Sequence, residues 1–170
     1  MEQAENPSRD RILERIRIAL RTPAPRHDAK AGRQIFPTVT DALERFRQEC
    51  VANKTECLVT SDFAASRAAI ATVLASLPMG EIFVQEAPEL HRMAQAWQDG
   101  RSVRWSGDGP PSEASQATIT LAEALVAETG SVLVSAACGG RGASVVAPVH
   151  IVLTRLEQLV PSLKAALAQV

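Results

Sequence analysis

The period of the apolar positions changes several times along the chain, and each change predicts a new element. After Ser8, a candidate N-cap, the segment RDRILERIRIALR places Ile12, Ile16, Ala19 and Leu20 at helical spacing, with Arg and Glu around the other side. This predicts an amphipathic helix. The next stretch, TPAPRHDAKAGRQIFP, holds three prolines, a glycine and scattered charges without any period, which predicts a flexible linker. The chain is therefore expected to divide into a helix with its linker, residues 1–36, and a domain of residues 37–170. The helix must bury its stripe somewhere, on its own domain or on a partner, and both options stay open.

From Thr38 onward, short β-branched or apolar runs alternate with helical segments. Residues 40–53 carry Leu43, Phe46 and Cys50 on one side of a helix, CLVT at 57–60 reads as a buried strand, and 63–76 carries Ile70, Val73 and Leu74 at helical spacing. EIFVQ at 81–85 is a second strand. A helix over 88–99 with Leu90, Met93, Ala94 and Trp97 leads to strand SVRW at 102–105, and turn-rich SGDGPPSEAS closes that unit. A short strand TIT at 118–120, helical LAEALVA at 121–127 and strands SVLVSA at 131–136 and VHIVLT at 149–154 follow. Pro161 then stands where a last helix begins.

Strands separated by helices in this rhythm require crossover connections, so they imply an α/β protein: a mainly parallel sheet covered by helices on both faces, in three α/β/α layers. In such sheets ligands gather at the carboxyl ends of the strands, which directs attention to the segments after Thr60, Gln85, Thr120, Ala136 and Thr154.

Composition narrows the function classes. The 170 residues are 46% hydrophobic and 22% charged, as in a globular domain with a core of its own. The net charge of −1 is uneven, with eight Arg or Lys against five acids in residues 1–36 and ten against fourteen in 37–170. An acidic body without a single Tyr does not read as a nucleic-acid binder. No apolar run approaches the roughly 20 residues that cross a bilayer, and MEQAENPSRD lacks the pattern of a signal peptide, so the expected location is the cytoplasm. Cys50, Cys57 and Cys138 form no C-x-x-C pair, which suits reduced thiols and encodes neither a zinc site nor an iron–sulfur cluster.

Four places carry candidate chemistry. Glu128-Thr129-Gly130-Ser131 puts a carboxylate and two hydroxyls around a glycine, a set that binds polar ligands, although Gly130 ending a helix explains it equally. Cys138-Gly139-Gly140-Arg141-Gly142 frees backbone N–H groups for an anion beside a guanidinium, or is simply a flexible connection. It matches neither a Walker A loop nor the dinucleotide fingerprint. Cys138 beside Arg141 is a candidate reactive thiol, without a His or acid tied to it by motif. His150 sits among β-branched residues in VHIVLT, as a ligand or as a hydrogen-bonded structural group, and neither His27 nor His91 stands at metal-ligand spacing from it. Glu81, Glu86 and Glu89 read as surface acids.

The order of these pieces is more specific than any one of them. Ala-Glu-Thr-Gly-Ser, an apolar strand, a Gly-Arg loop, a proline and a Val-His-Ile-Val strand resemble the LUD domain of lactate-utilisation protein C (LutC), closely over residues 118–154. SRDRILERIRIALR resembles the N-terminal helix of LutC proteins, and the middle is similar in pattern alone. The resemblance implies the NagB/RpiA/CoA-transferase-like fold and a part in the oxidation of L-lactate to pyruvate. It also implies LutA-like and LutB-like iron–sulfur partners that carry the clusters, leaving this chain cluster-free and without a cofactor of its own. The positions matching the family pattern are Glu128, Thr129, Gly130, Arg141, Pro148 and His150. Cys138 lies outside that pattern, and the region before residue 118 is short for the family. The resemblance implies an accessory subunit more than a catalyst. The competing expectation is a stand-alone binder or transferase-type enzyme for a phosphorylated, CoA-linked or carboxylate metabolite, using Glu128, Thr129, Gly130, Ser131, Gly139, Gly140, Arg141 and His150. A homo-oligomer held by the N-terminal helix is a third.

Overall fold

The structure is a computed structural model that describes residues 7–21, 36–95, 97 and 100–169. The chain divides into two compact units, Met1–Ile35 and Phe36–Val170, taken separately below. In the first, helix α1 runs from Pro7 to Leu20. Proline tolerates the first turn because its missing N–H has no intrahelical acceptor there, so Ser8 falls inside the helix and not at the expected N-cap. The expected linker, with His27, lies outside the described residues apart from Phe36 and Pro37.

The second unit begins with helices α2 (Ala42–Ala52) and α3 (Phe63–Ala75), started by Asp41 and Asp62. The Glu44 N–H donates to the Asp41 carboxylate at 3.0 Å and the Ala65 N–H to Asp62 at 2.8 Å, satisfying donors that the first helical turn leaves free. The Ala65 and Ser61 hydrogen bonds hold the Asp62 carboxyl below the usual carboxylate range.

Strands β1 (Glu81–Val84), β2 (Ser102–Trp105), β3 (Ser115–Leu121) and β6 (Val149–Leu153) form one sheet in the order β2-β1-β3-β6, parallel throughout, and helix α4 (Pro88–Ala94) connects β1 to β2. Ile82 and Val84 point to one face with Ala117 and Ile119, and there meet Ile70 and Leu74 of α3 and Leu90, Met93 and Ala94 of α4, together with Trp97. A fully buried side chain of this kind contributes roughly 1.5–3 kcal/mol. On the opposite side Val152 joins Phe46 and Cys50 of α2. Helices on both faces of a parallel sheet make this the expected three-layer α/β/α arrangement.

The chain of β3 and β6 runs on into a smaller sheet. Strand β4 (Ala124–Val126) pairs antiparallel with β5 (Ser131–Leu133) and parallel with β7 (Leu159–Val160), after which α5 (Leu163–Leu167) closes the fold. Five expectations change here. LAEALVA is not helical, because its middle is β4, completely covered between two neighbours. Residues 57–60 form no strand and join no ladder among the described residues, β1 pairing directly with β3, and Leu58 and Val59 stay exposed. The helix expected over 88–99 ends at Ala94, and the strand expected over 131–136 ends at Leu133. Finally, Pro161 precedes the last helix, whose N-cap is Ser162.

Candidate functional site

In a parallel sheet every strand ends on the same edge, and the crevice opens where successive connections leave in opposite directions. From β1 the chain passes to β2 on one side, then returns across β1 to β3 on the other, so this point lies between β1 and β3. Gln85, the residue after β1, is 9% exposed and fills it. Its side-chain oxygen accepts from the Leu121 N–H at 2.8 Å, and its amide donates to the Ala137 carbonyl at 3.1 Å, strapping the loop after β5 to the sheet edge.

Beyond β3 stands Glu123. Its carboxylate accepts a hydrogen bond from Ser135 Oγ at 2.7 Å and from the Cys138 thiol at 3.6 Å, and Cys138 is buried. Ser135 Oγ in turn accepts from the Ala137 N–H at 3.2 Å. The acid that sequence reasoning found wanting beside Cys138 is thus Glu123, fifteen residues earlier and brought round by the β4–β5 hairpin.

Beside this cluster, the pairing of Val84 with Trp105 sets the ends of β1 and β2 side by side. The Glu86 N–H donates to Ser106 Oγ at 2.8 Å, and the Glu86 carboxylate pairs with His91 Nε2. The His91 ring stacks on the Trp105 indole with centroids 3.7 Å apart. A carboxylate on one ring nitrogen fixes the orientation of an imidazole. Farther along, Arg155 after β6 reaches Glu89 at 3.5 Å.

The expected site residues separate into two groups. Glu128, Thr129 and Gly130 lie in the turn of the β4–β5 hairpin and Ser131 opens β5, so Gly130 ends no helix. The Glu128 carboxylate accepts from the Leu163 N–H at 2.9 Å, the Asn53 amide donates to the Thr129 carbonyl at 2.9 Å, and Thr129 Oγ1 donates to Ser131 Oγ at 2.9 Å. Gly130, at φ 65°, passes so close to α2 that a Cβ would come within 2.7 Å of Glu49 Cβ.

Gly139, Gly140, Arg141 and His150 form the second group, on the α2-side face of the sheet. Gly139 and Gly140 have φ 90° and 81°, and a Cβ on Gly139 would lie 3.1 Å from the Phe83 ring. The short 3-10 turn Arg141–Ser144 is pinned where Thr118 Oγ1 donates to the Ala143 carbonyl. One step along β3, Thr120 Oγ1 lies 2.9 Å from His150 Nε2. Burial pushes the His150 imidazole below its ordinary pKa. Arg141 is exposed and makes no ion pair among the described residues. Pro148 leads directly into β6.

Glu81 is no surface acid. Burial, which favours its neutral form, is outweighed by hydrogen bonds from Ser112 at 2.6 Å, Ser115 at 2.8 Å and Arg104 at 2.9 Å, which hold it below the usual range. Near it, at the amino edge of the sheet, an open depression of about 560 Å³ is lined by Met79, Gly80, Glu81, Gly100, Ser102, Ala114 and Gln116. A second, of about 230 Å³, lies along Pro37–Asp41 and the start of α2. Neither touches the carboxyl edge, whose chemistry is richer, and the edge remains the better candidate. No group of three or more His, Cys, Asp or Glu among the described residues is arranged to hold a metal ion.

Sequence reasoning pointed to the segments after Gln85, Thr120 and Ala136 but selected none of Gln85, Glu86, His91, Trp105, Glu123 or Ser135. The carboxyl-end rule was the available signal, and Glu86 and Glu123 stand within three residues of the strand ends it names. The family model of the LUD domain matches residues 43–170 of the chain. No curated protein and no solved structure is significantly similar to it.

Proposed function

The chain belongs to the LUD domain family, and on that premise we propose that it is a LutC-like component of L-lactate utilisation, an accessory subunit in the oxidation of lactate to pyruvate. The observation that carries this reading is the family match over residues 43–170, which spans the whole Ala-Glu-Thr-Gly-Ser to Val-His-Ile-Val order. The subunit itself binds no cluster. Its three cysteines support this, because the Cys138 thiol is turned to Glu123 while Cys50 of α2 and Cys57 belong to the apolar cluster of Phe46. Electrons then leave through LutA-like and LutB-like iron–sulfur partners in the cytoplasm. Among the described residues no helix is long and apolar enough to cross a membrane.

Co-expression of the tagged chain with such partners tests the proposal. A brown complex that oxidises L-lactate is expected, with the chain alone colourless and inactive. Recovery of the chain without its partners, under conditions where the partners are soluble, overturns it.

One observation favours a second reading, a binder of a phosphorylated, CoA-linked or carboxylate metabolite. Thr118 and Thr120 bring the Gly139–Arg141 loop and His150 to one face of the sheet, with no ion pair to Arg141 among the described residues. A ligand at 100 times its Kd stabilises the fold by about 2.7 kcal/mol. Under this reading a metabolite screen produces such a shift, and Arg141→Ala removes it. No shift with any ligand counts against it.

A further inference from the structure

Two of the three cysteines meet in the fold. Cys50, on the last turn of α2, is 1% exposed within the cluster of Phe46, and Cys57 packs on the same cluster while keeping part of its surface open. The chain returns because α2 is capped at Asn53 and Lys54 adopts a left-handed conformation with φ 57°. The Thr55 N–H then donates to the Cys50 carbonyl at 2.8 Å. Two residues later Cys57 comes back to the cluster that holds Cys50, close enough that its thiol bears on the ionisation of Cys50. Both are free thiols.

We propose that Cys50 and Cys57 are a redox-modification site, a dithiol that closes to an intramolecular disulfide by exchange with a small-molecule disulfide such as glutathione disulfide. Exchange needs one reachable sulfur and a second within bonding reach of it, and the two cysteines divide those roles. The Cys57 thiolate attacks one sulfur of glutathione disulfide, forming the mixed disulfide and releasing one glutathione thiolate. Cys50 then loses its proton to solvent and attacks the Cys57 sulfur, releasing the second glutathione. The protein loses two protons and two electrons, and glutathione disulfide gains them. Cys138 has no neighbouring thiol and stays reduced; its hydrogen-bond neighbours are Glu123 and Ser135.

The two steps differ in rate. Burial first, and the neighbouring Cys57 second, push the Cys50 thiol up to about 11. Near neutral pH Cys50 is therefore almost wholly protonated, and closure is the slow step, rising close to tenfold per pH unit as its thiolate fraction rises. Once formed, the bond fixes the start of the exposed Leu58–Val59 segment to the end of α2. This inference does not depend on the lactate reading, since it concerns the isolated chain.

The full chain is equilibrated across glutathione redox ratios, free thiols are trapped with an alkylating agent, and the products are read by peptide mass. The expected product carries one Cys50–Cys57 disulfide with Cys138 alkylated, passing through a glutathione adduct on Cys57 that is longer-lived at pH 7 than at pH 8.5. Cys50→Ser is expected to halt at that adduct. Should Cys50→Ser fold poorly, the wild-type time course at the two pH values carries the same test. Three alkylated thiols at the most oxidising ratio, or a wild-type adduct on Cys57 that never resolves, overturn the proposal.

Discussion

The Glu128 carboxylate accepts a hydrogen bond from the Leu163 N–H at 2.9 Å, so the acid of the Ala-Glu-Thr-Gly-Ser turn is held by the first turn of the last helix. A carboxylate there satisfies a donor that the helix cannot satisfy itself and lies favourably against its dipole.

Glu128→Ala is therefore expected to destabilise the fold by about 1 kcal/mol, the usual cost of a lost helix cap. Urea unfolding checks it. An unchanged midpoint would release Glu128 from this structural role and return it to the candidates for ligand binding.

Two glycines with positive φ separate conformational strain from close packing. Gly140 has φ 81° and ψ 169°, a backbone that essentially glycine alone adopts, and open space where a Cβ would go, so Gly140→Ala is expected to cost roughly 1–3 kcal/mol from backbone strain alone. At Gly130, with φ 65°, a Cβ would also lie 2.9 Å from the Glu49 backbone carbon, which has no room to give way. Gly130→Ala is expected to cost more than about 1–2 kcal/mol, the penalty of a left-handed backbone alone, as read by thermal melts.

His150 makes stability depend on pH. Its folded-state pKa is below the ordinary 6.5, so the unfolded chain takes up a proton first as pH falls. Its stabilising contribution is complete above pH 6.5 and is lost as pH falls through the folded value. Urea midpoints at pH 7.5 and pH 5 are expected to differ, and His150→Gln to reduce that difference.

Arg101 ties the end of α3 to the start of β2. Its guanidinium donates to the carbonyls of Pro78 at 2.6 Å, Leu74 at 2.7 Å and Leu77 at 2.9 Å. Arg101→Ala is expected to cost about 2 kcal/mol, because it removes charge-assisted bonds to carbonyls at and just after the end of the helix. Arg101→Lys is expected to recover only part of this in chemical denaturation, since an ammonium does not reproduce the planar fork.

Much of the architecture could be read from periodicity because the central strands are extreme cases. Ile82, Phe83 and Val84 are wholly buried, which needs an apolar run, and α2 and α3 start at Asp41 and Asp62, whose side chains accept from the first-turn N–H groups. LAEALVA misled because Ala, Leu and Glu favour helices locally, whereas pairing with β5 and β7 decided the outcome. CLVT has the residues of a strand, yet the direct β1–β3 ladder left it no position between those strands. The site was less legible for the same reason. His91 meets Trp105 only because Val84 pairs with Trp105, and Cys138 meets Glu123 only because the β4–β5 hairpin turns the chain back. Register of this kind is set by tertiary pairing, which a single sequence does not display.

Growth on L-lactate as sole carbon source, after deletion of the gene in its native host, tests the central claim most directly, with growth on pyruvate as the control. The account predicts that growth on lactate is lost and is restored by the intact chain, while growth on pyruvate is kept. Undiminished growth of the deletion strain on lactate would contradict it.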